Sequence, residues 1–192
     1  MERLKNKCAL VMGATSGIGQ TCAEMFAREG ARVVLTGRRV AHGEAVARSI
    51  VAAGGDAAFQ LCDVTQPESV EEAVRQATAR LGRLDILLSN AGGSGNADGP
   101  VTIASLDEFW NKMRVDHFGT FLSLRFAIPE MVKSGGWIGD QHGIGGRLRK
   151  FDWRACRVCL VQGGRHESDS EHSACLRQGS SPSQRHLASW GR

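Results

Sequence analysis

Short apolar runs alternate with amphipathic stretches from residue 7 to about residue 138. The runs predict buried strands, and the stretches between them, whose apolar residues recur every three or four positions, predict helices. Such alternation is typical of right-handed βαβ units, so we expect a doubly wound α/β fold with a parallel sheet in the strand order 3-2-1-4. The strands are predicted over residues 7–12, 32–36, 57–61 and 84–88, and the helices over residues 18–29, 40–53, from 65 or 66 onward, and 107–131.

The helices have apolar faces that predict how they pack. On the first helix Ile18, Cys22, Met25 and Phe26 share one face, which we expect to lie against the sheet. The long fourth helix carries a series of large apolar side chains for which we expect core packing or a subunit contact: Phe109, Met113, Val115, Phe118, Phe121, Leu122 and Phe126.

The turn after the first strand reads Gly13-Ala14-Thr15-Ser16-Gly17-Ile18-Gly19, and we call it the glycine turn. Glycines allow a ligand to approach the backbone closely, and the helix that follows directs free N–H groups and its positive dipole end at the same spot. This arrangement suits a pyrophosphate. The candidate binding residues of the turn are Gly13, Thr15, Ser16, Gly17, Ile18 and Gly19.

Polar residues follow each of the other three strands. Arg38 follows the second strand, Asp63 and Val64 follow the third, and Asn90 and Gly92 follow the fourth. Because the carboxyl ends of parallel strands lie at one edge of the sheet, we expect these residues to line one crevice together with the glycine turn.

The glycine turn, Asp63-Val64 and Asn90-Ala91-Gly92 together resemble the short-chain dehydrogenase/reductase family over about residues 5–138. The resemblance implies a Rossmann-type domain of three α/β/α layers that binds a nicotinamide dinucleotide, with Asp63-Val64 at the adenine. It implies an oxidoreductase that moves a hydride between NAD(P) and a small carbonyl or alcohol substrate, using a Ser, a Tyr, a Lys and a helix Asn. It also implies a homo-oligomer. The identity of the substrate is left open.

The end of the second strand indicates the choice of cofactor. An acidic side chain there would hold a ribose 2′-OH, whereas a basic one would accept a 2′-phosphate. Here Thr36 is followed by Gly37-Arg38-Arg39 and no acid, which favours NADP(H) over NAD(H). Two solvated arginines in a loop are the alternative interpretation.

The catalytic residues of the family are not found at their expected places. The 192 residues contain no tyrosine, Gln141, His142 and Gly143 stand where a Ser is expected, and Asp116 stands at the helix Asn position. Asp116 would add negative charge near the nicotinamide. We therefore name no catalytic residue and predict an inactive chain; the alternative is a non-catalytic dinucleotide-binding remnant or partner subunit.

Composition changes sharply after residue 136. Residues 1–136 hold 15 basic and 15 acidic side chains, whereas residues 137–192 hold nine Lys or Arg against five acids. We predict a dinucleotide-binding domain over residues 1–138, with its C-terminal part incomplete, and a disordered tail over residues 139–192.

A frameshift in the codon for Gly139 is our hypothesis for the origin of this tail. The reading frame offset by one base can restore a Ser codon at Ile144, a Tyr codon at Val158 and a Lys or Arg codon at Gln162.

A functional tail is the rival interpretation. Cys156, Cys159, His166, His172 and Cys175 are residue types that bind zinc, but their spacing matches no familiar site, so we predict no metal. A nucleic-acid partner is also not expected, because acids are interleaved with the basic residues.

The remaining features favour a cytoplasmic protein. The chain shows no secretory leader and no apolar run of membrane-spanning length, so no membrane partner is expected. Cys8, Cys22 and Cys62 fall in or beside predicted core elements and are interpreted as reduced thiols.

Overall fold

The computed structural model describes residues 2–92 and 99–134, and the backbone of residues 138–140. These residues form a parallel sheet in the order β3-β2-β1-β4-β5. The strands are β1 (Cys8–Met12), β2 (Arg32–Gly37), β3 (Asp56–Leu61), β4 (Ile86–Ser89) and β5 (Ile138–Asp140). The helices are α1 (Gly17–Arg28), α2 (Val40–Ala52), α3 (Pro67–Leu81), α4 (Leu106–Lys112) and α5 (Gly119–Lys133), with a π-helical turn (Met113–Phe118) between the last two.

The sheet confirms the predicted doubly wound fold. β1 pairs with β2 and with β4, and β2 pairs with β3, all in parallel. β5 pairs with β4 in parallel, with Ile86 opposite Ile138, so a fifth strand extends the predicted order. Gly139 and Asp140, the first two residues of the predicted tail, belong to β5. The rest of the tail, with its zinc-type residues, lies outside the described residues.

The core has two layers because β1 is buried on both faces. Leu10 belongs to the layer under α3 and α5, and Val11 belongs to the layer under α1 and α2. This double burial explains why the strand is a continuous apolar run and not an alternating one. On α3 the buried side chains are those of Val70, Ala73, Val74, Ala77 and Leu81.

The predicted inner face of α1 is wrong at two of its four residues. Ile18 is 56% and Met25 is 42% exposed, whereas Gly19, Ala23 and Ala27 are buried. These three small residues recur every four positions and let the helix approach the sheet closely. Cys22 and Phe26 pack at the margin of that layer. The close approach rotates the larger apolar side chains outward.

The predicted long helix is interrupted by the π-helical turn, which separates α4 from α5. Leu122 is buried and Val115 and Phe126 pack against the core, but Phe109, Phe118 and Phe121 are among the exposed large apolar side chains. For these three, core packing is excluded. None of the helices in the described part of the chain combines the length and apolar character needed to cross a bilayer.

Candidate functional site

The glycine turn is held tightly against the end of β4. Gly13 has a φ of +77°, and a Cβ built on it would lie 2.5 Å from the Cα of Ala91. A Cβ on Gly19 would lie 2.3 Å from the carbonyl oxygen of Gly13. Gly17 differs, because its φ is +59° but a Cβ there would meet nothing within 4 Å. The backbone is therefore tightly packed at Gly13 and Gly19, whereas the space beside Gly17, the first residue of α1, is open.

Asn90 joins the ends of β1 and β4. Its side-chain Nδ2 donates to the carbonyl oxygen of Gly13 at 3.1 Å, and its backbone N–H donates to Met12 at 3.0 Å. The same Nδ2 would lie 2.6 Å from a Cβ on Gly19. Asn90 thus fixes the start of the glycine turn and leaves no room for a side chain at position 19.

Arg39 reaches from the end of β2 to the glycine turn. Its Nε and Nη2 donate to Thr15 Oγ1 at 3.2 and 3.0 Å, and Nη2 also donates to Ser16 Oγ. Arg38, the arginine chosen from the sequence, is exposed and makes no hydrogen bond or ion pair within the described residues. The pair of arginines was visible in the sequence, but which of them contacts the turn was not.

Asp63 begins the loop between β3 and α3. Its Oδ1 accepts from the N–H and the hydroxyl of Thr65 at 2.9 and 2.8 Å, and its own N–H donates to Ser69 Oγ. Val64 is buried, and a Cβ on Gly119 would lie 2.8 Å from its Cγ2. The side chain of Val64 is thus committed to the core, and only its backbone remains for contact with a ligand.

Asp116 lies beside Gly92 on the β4 side of the crevice. A Cβ on Gly92 would lie 2.7 Å from Asp116 Oδ1. Asp116 belongs to the π-helical turn, a feature that is frequent at functional sites because it redirects side chains within a helix. The structure therefore brings the helix carboxylate to the loop that follows β4.

Cys62 is buried at the carboxyl end of β3, next to Asp63. Burial raises the pKa of its thiol to about 11. A thiol of this kind is neutral at physiological pH and is a poor nucleophile. Within the described residues there is also no group of three or more His, Cys, Asp or Glu side chains that could hold a metal ion.

This arrangement can bind an anion. The first N–H groups of a helix have no partners within the helix, and the open space above Gly17 leaves them accessible. Arg39 adds a positive charge at the same place, and its hydrogen-bond partners are neutral hydroxyls.

A family model supplies the decisive observation. The model for short chain dehydrogenases matches residues 7–139. The chain belongs to the short-chain dehydrogenase family. This confirms the family that the glycine turn, Asp63-Val64 and Asn90-Ala91-Gly92 predicted from the sequence.

Curated relatives and solved structures agree with this family. The chain is 37% identical over 132 residues to a mitochondrial borneol dehydrogenase of Lavandula x intermedia, covering 69% of this chain and 49% of that protein. It is 36% identical over 137 residues to a 7alpha-hydroxysteroid dehydrogenase of Clostridium sardiniense, covering 71% and 52%. A crystal structure of hydroxysteroid dehydrogenase from Escherichia coli superposes with a TM-score of 0.68 at 33% identity, covering 72% of this chain and 58% of that one.

The chain spans about half the length of the curated short-chain dehydrogenases that it matches. The shared part contains the glycine turn and the carboxyl ends of β1 to β4. Asp116 also lies in this shared part, within the π-helical turn.

Proposed function

We propose that this chain binds NADP(H) at the carboxyl edge of its sheet, as the cofactor domain of a short-chain oxidoreductase. The glycine turn would receive the pyrophosphate, Asp63 and the backbone of Val64 the adenine, and the loop after β4 the remaining half of the dinucleotide. The proposed binding residues are Gly13, Thr15, Ser16, Gly17, Ile18, Gly19, Arg38, Asp63, Val64, Asn90 and Gly92. We add Arg39 to the proposal because it contacts the glycine turn.

The contact between Arg39 and the glycine turn carries this proposal. Its guanidinium is held by the hydroxyls of Thr15 and Ser16, and among the described residues it has no carboxylate partner. A cation with neutral partners keeps its charge available for an anion, and a guanidinium matches the geometry of a phosphate. The absence of an acid after β2 supports the same choice, since a ribose 2′-OH would have no carboxylate acceptor there.

The proposed reaction class is hydride transfer between NADP(H) and a carbonyl or alcohol substrate. NADP(H) supplies or receives the hydride when it is bound. The residues of this chain would bind and orient it: the glycine turn through backbone N–H groups, and Asn90 by fixing that turn against β4.

We further propose that the 192-residue chain does not itself catalyse turnover. The family mechanism needs a tyrosine as proton donor, and the chain has none. On this proposal the protein is a dinucleotide-binding remnant or a partner subunit.

Fluorescence titration with NADPH and NADH tests the choice of cofactor. We expect tighter binding of NADPH, and we expect Arg39→Ala to weaken NADPH binding about tenfold while NADH binding changes little. Arg48→Ala is the matched control, because Arg48 is an exposed arginine whose ion pair with Glu44 lies within α2. Equal effects of Arg39→Ala on both dinucleotides would contradict a 2′-phosphate contact.

A turnover assay separates the two functional classes. NADPH oxidation is followed with a panel of aldehydes and ketones beside the binding titration. Binding without oxidation is expected for the remnant or partner subunit. Steady-state oxidation above the rate without protein would refute the proposed inactivity.

The boundary after residue 138 and the frameshift origin of residues 139–192 are also proposals. The end of the family match at residue 139 supports them. Sequencing the coding strand from codon 136 to codon 165 tests the frameshift, and an offset frame without the Tyr and Lys codons would refute it.

We also propose that the protein is cytoplasmic and that it associates with a second copy of itself. Cys8 and Cys62 are buried free thiols, which supports a reducing compartment. Phe109, Phe118 and Phe121 are exposed on one helical run, which supports a contact with a second copy.

A further inference from the structure

Asp116 lies against the loop that follows β4, and the same loop is hydrogen-bonded to the glycine turn. Its Oδ1 lies against Gly92, at the position where a Cβ would be only 2.7 Å away. Gly92 is two residues beyond Asn90, whose side chain donates to the carbonyl oxygen of Gly13. The carboxylate therefore lies on the β4 side of the same crevice, while Arg39 lies on its β2 side.

These two positions define opposite ends of the crevice. In a doubly wound sheet a dinucleotide binds across the point where the strand order reverses, here between β1 and β4. If Arg39 receives the 2′-phosphate, the adenine half of NADP(H) lies over β2 and β3. The nicotinamide half then extends toward β4, which is the side that holds Gly92 and Asp116.

The charge of the nicotinamide ring depends on its redox state. The oxidised ring carries one positive charge, and the reduced ring is neutral. A carboxylate on the same side of a partly buried crevice attracts the charged ring and has no comparable attraction for the neutral one, because electrostatic interactions are less screened there than in water.

We propose that Asp116 makes the site select the redox state of its cofactor, favouring NADP⁺ over NADPH. This inference rests on the proposed function of the chain as an NADP(H)-binding domain. Asp116 acts here as a specificity-determining residue. An asparagine has the same shape without the charge, so it removes the selection and keeps the packing against Gly92.

The test compares the two redox forms by binding alone. The affinity of the full chain for NADP⁺ is measured by calorimetry and its affinity for NADPH by fluorescence, and the ratio of the two dissociation constants is compared between variants. We expect Asp116→Asn to shift the ratio toward NADPH by about fivefold. A general loss of packing would weaken both forms alike and leave the ratio unchanged.

Two further variants make the result specific. Asp107→Asn removes an exposed carboxylate from the first turn of α4 and is expected to leave the ratio unchanged. Asp116→Ser removes the same charge by a smaller side chain, and it answers the question if the asparagine variant does not fold.

The outcomes separate the two proposals. Binding of both forms with an unchanged ratio in the folded Asp116 variants would overturn the role of Asp116 and leave the proposed function standing. An equal shift in Asp107→Asn would also overturn it. Failure of the unmodified chain to bind either form would refute the proposed function, and the inference with it.

Discussion

Arginines lie at both edges of the parallel sheet, and their partners differ. At the amino edge Arg32 and Arg80 both pair with Asp56, through Nε–Oδ2 and Nη2–Oδ1 distances of 2.9 and 2.7 Å. Arg83 pairs with Asp85 at the same edge, with its Nε 3.0 Å from Oδ2. Every one of these positive charges faces a carboxylate of this chain.

At the carboxyl edge the partners are neutral. Arg39 donates to the hydroxyls of Thr15 and Ser16, and Asp63 accepts from Thr65. A charge bonded only to hydroxyls keeps most of its attraction for an ion of opposite sign. The comparison teaches that one residue type stabilises the fold at the amino edge and remains available for a ligand at the carboxyl edge.

Replacing Asp85 should give the largest effect on stability. Asp85 is 6% exposed and its Oδ2 accepts from the backbone N–H of Cys8 at 3.0 Å. Asp85→Ala leaves that buried N–H without its acceptor and removes the carboxylate that pairs with Arg83, so we expect the free energy of unfolding to fall by about 2–3 kcal/mol. Urea denaturation measures it, with Asp107→Ala as an exposed control. A loss no larger than in that control would break the contrast between the edges.

Alkaline pH should have a smaller effect, through the buried thiols. The pKa of Cys62 rises from 9.0 to about 11 on folding, so the folded protein holds the thiol proton more tightly than the unfolded chain. Stability from this group is complete below pH 9 and is lost as the pH rises toward 11. Between pH 8 and 10 we expect a loss of about 1 kcal/mol.

The measurement for this prediction is urea denaturation at both pH values. Burial also raises the pKa of Cys8, so part of the alkaline loss should persist when Cys62 is replaced. We expect Cys62→Ala to show a clearly smaller difference between pH 8 and 10 than the unmodified chain. An identical difference would show that Cys62 does not titrate in this range.

Replacing Arg39 should have the smallest effect on stability. Its side chain is exposed, so water can take the place of its guanidinium at the hydroxyls of Thr15 and Ser16, and Arg39→Ala should change the free energy of unfolding by no more than about 0.5 kcal/mol. The same variant is expected to weaken NADPH binding about tenfold. A large loss of stability with unchanged binding would reverse the roles assigned to the two edges.

Much of the fold could be predicted from the sequence because its signals are local. The apolar runs placed β1 to β3 within one residue of the structure at each end, and β4 within two. The inner face of α1 could not be predicted in this way. Hydrophobicity favoured Ile18 and Met25, but the close approach of α1 to the sheet required Gly19, Ala23 and Ala27 to face inward.

The sequence by itself determined the family, the doubly wound sheet and the glycine turn, because each is recognised from short patterns that are local in the chain. Only the tertiary structure decided which arginine contacts the turn, that Val64 is buried against Gly119, and that Asp116 lies beside Gly92. These contacts join segments far apart in sequence. Their geometry depends on how closely the helices pack on the sheet, on which side each loop leaves its strand, and on the π-helical turn that directs Asp116.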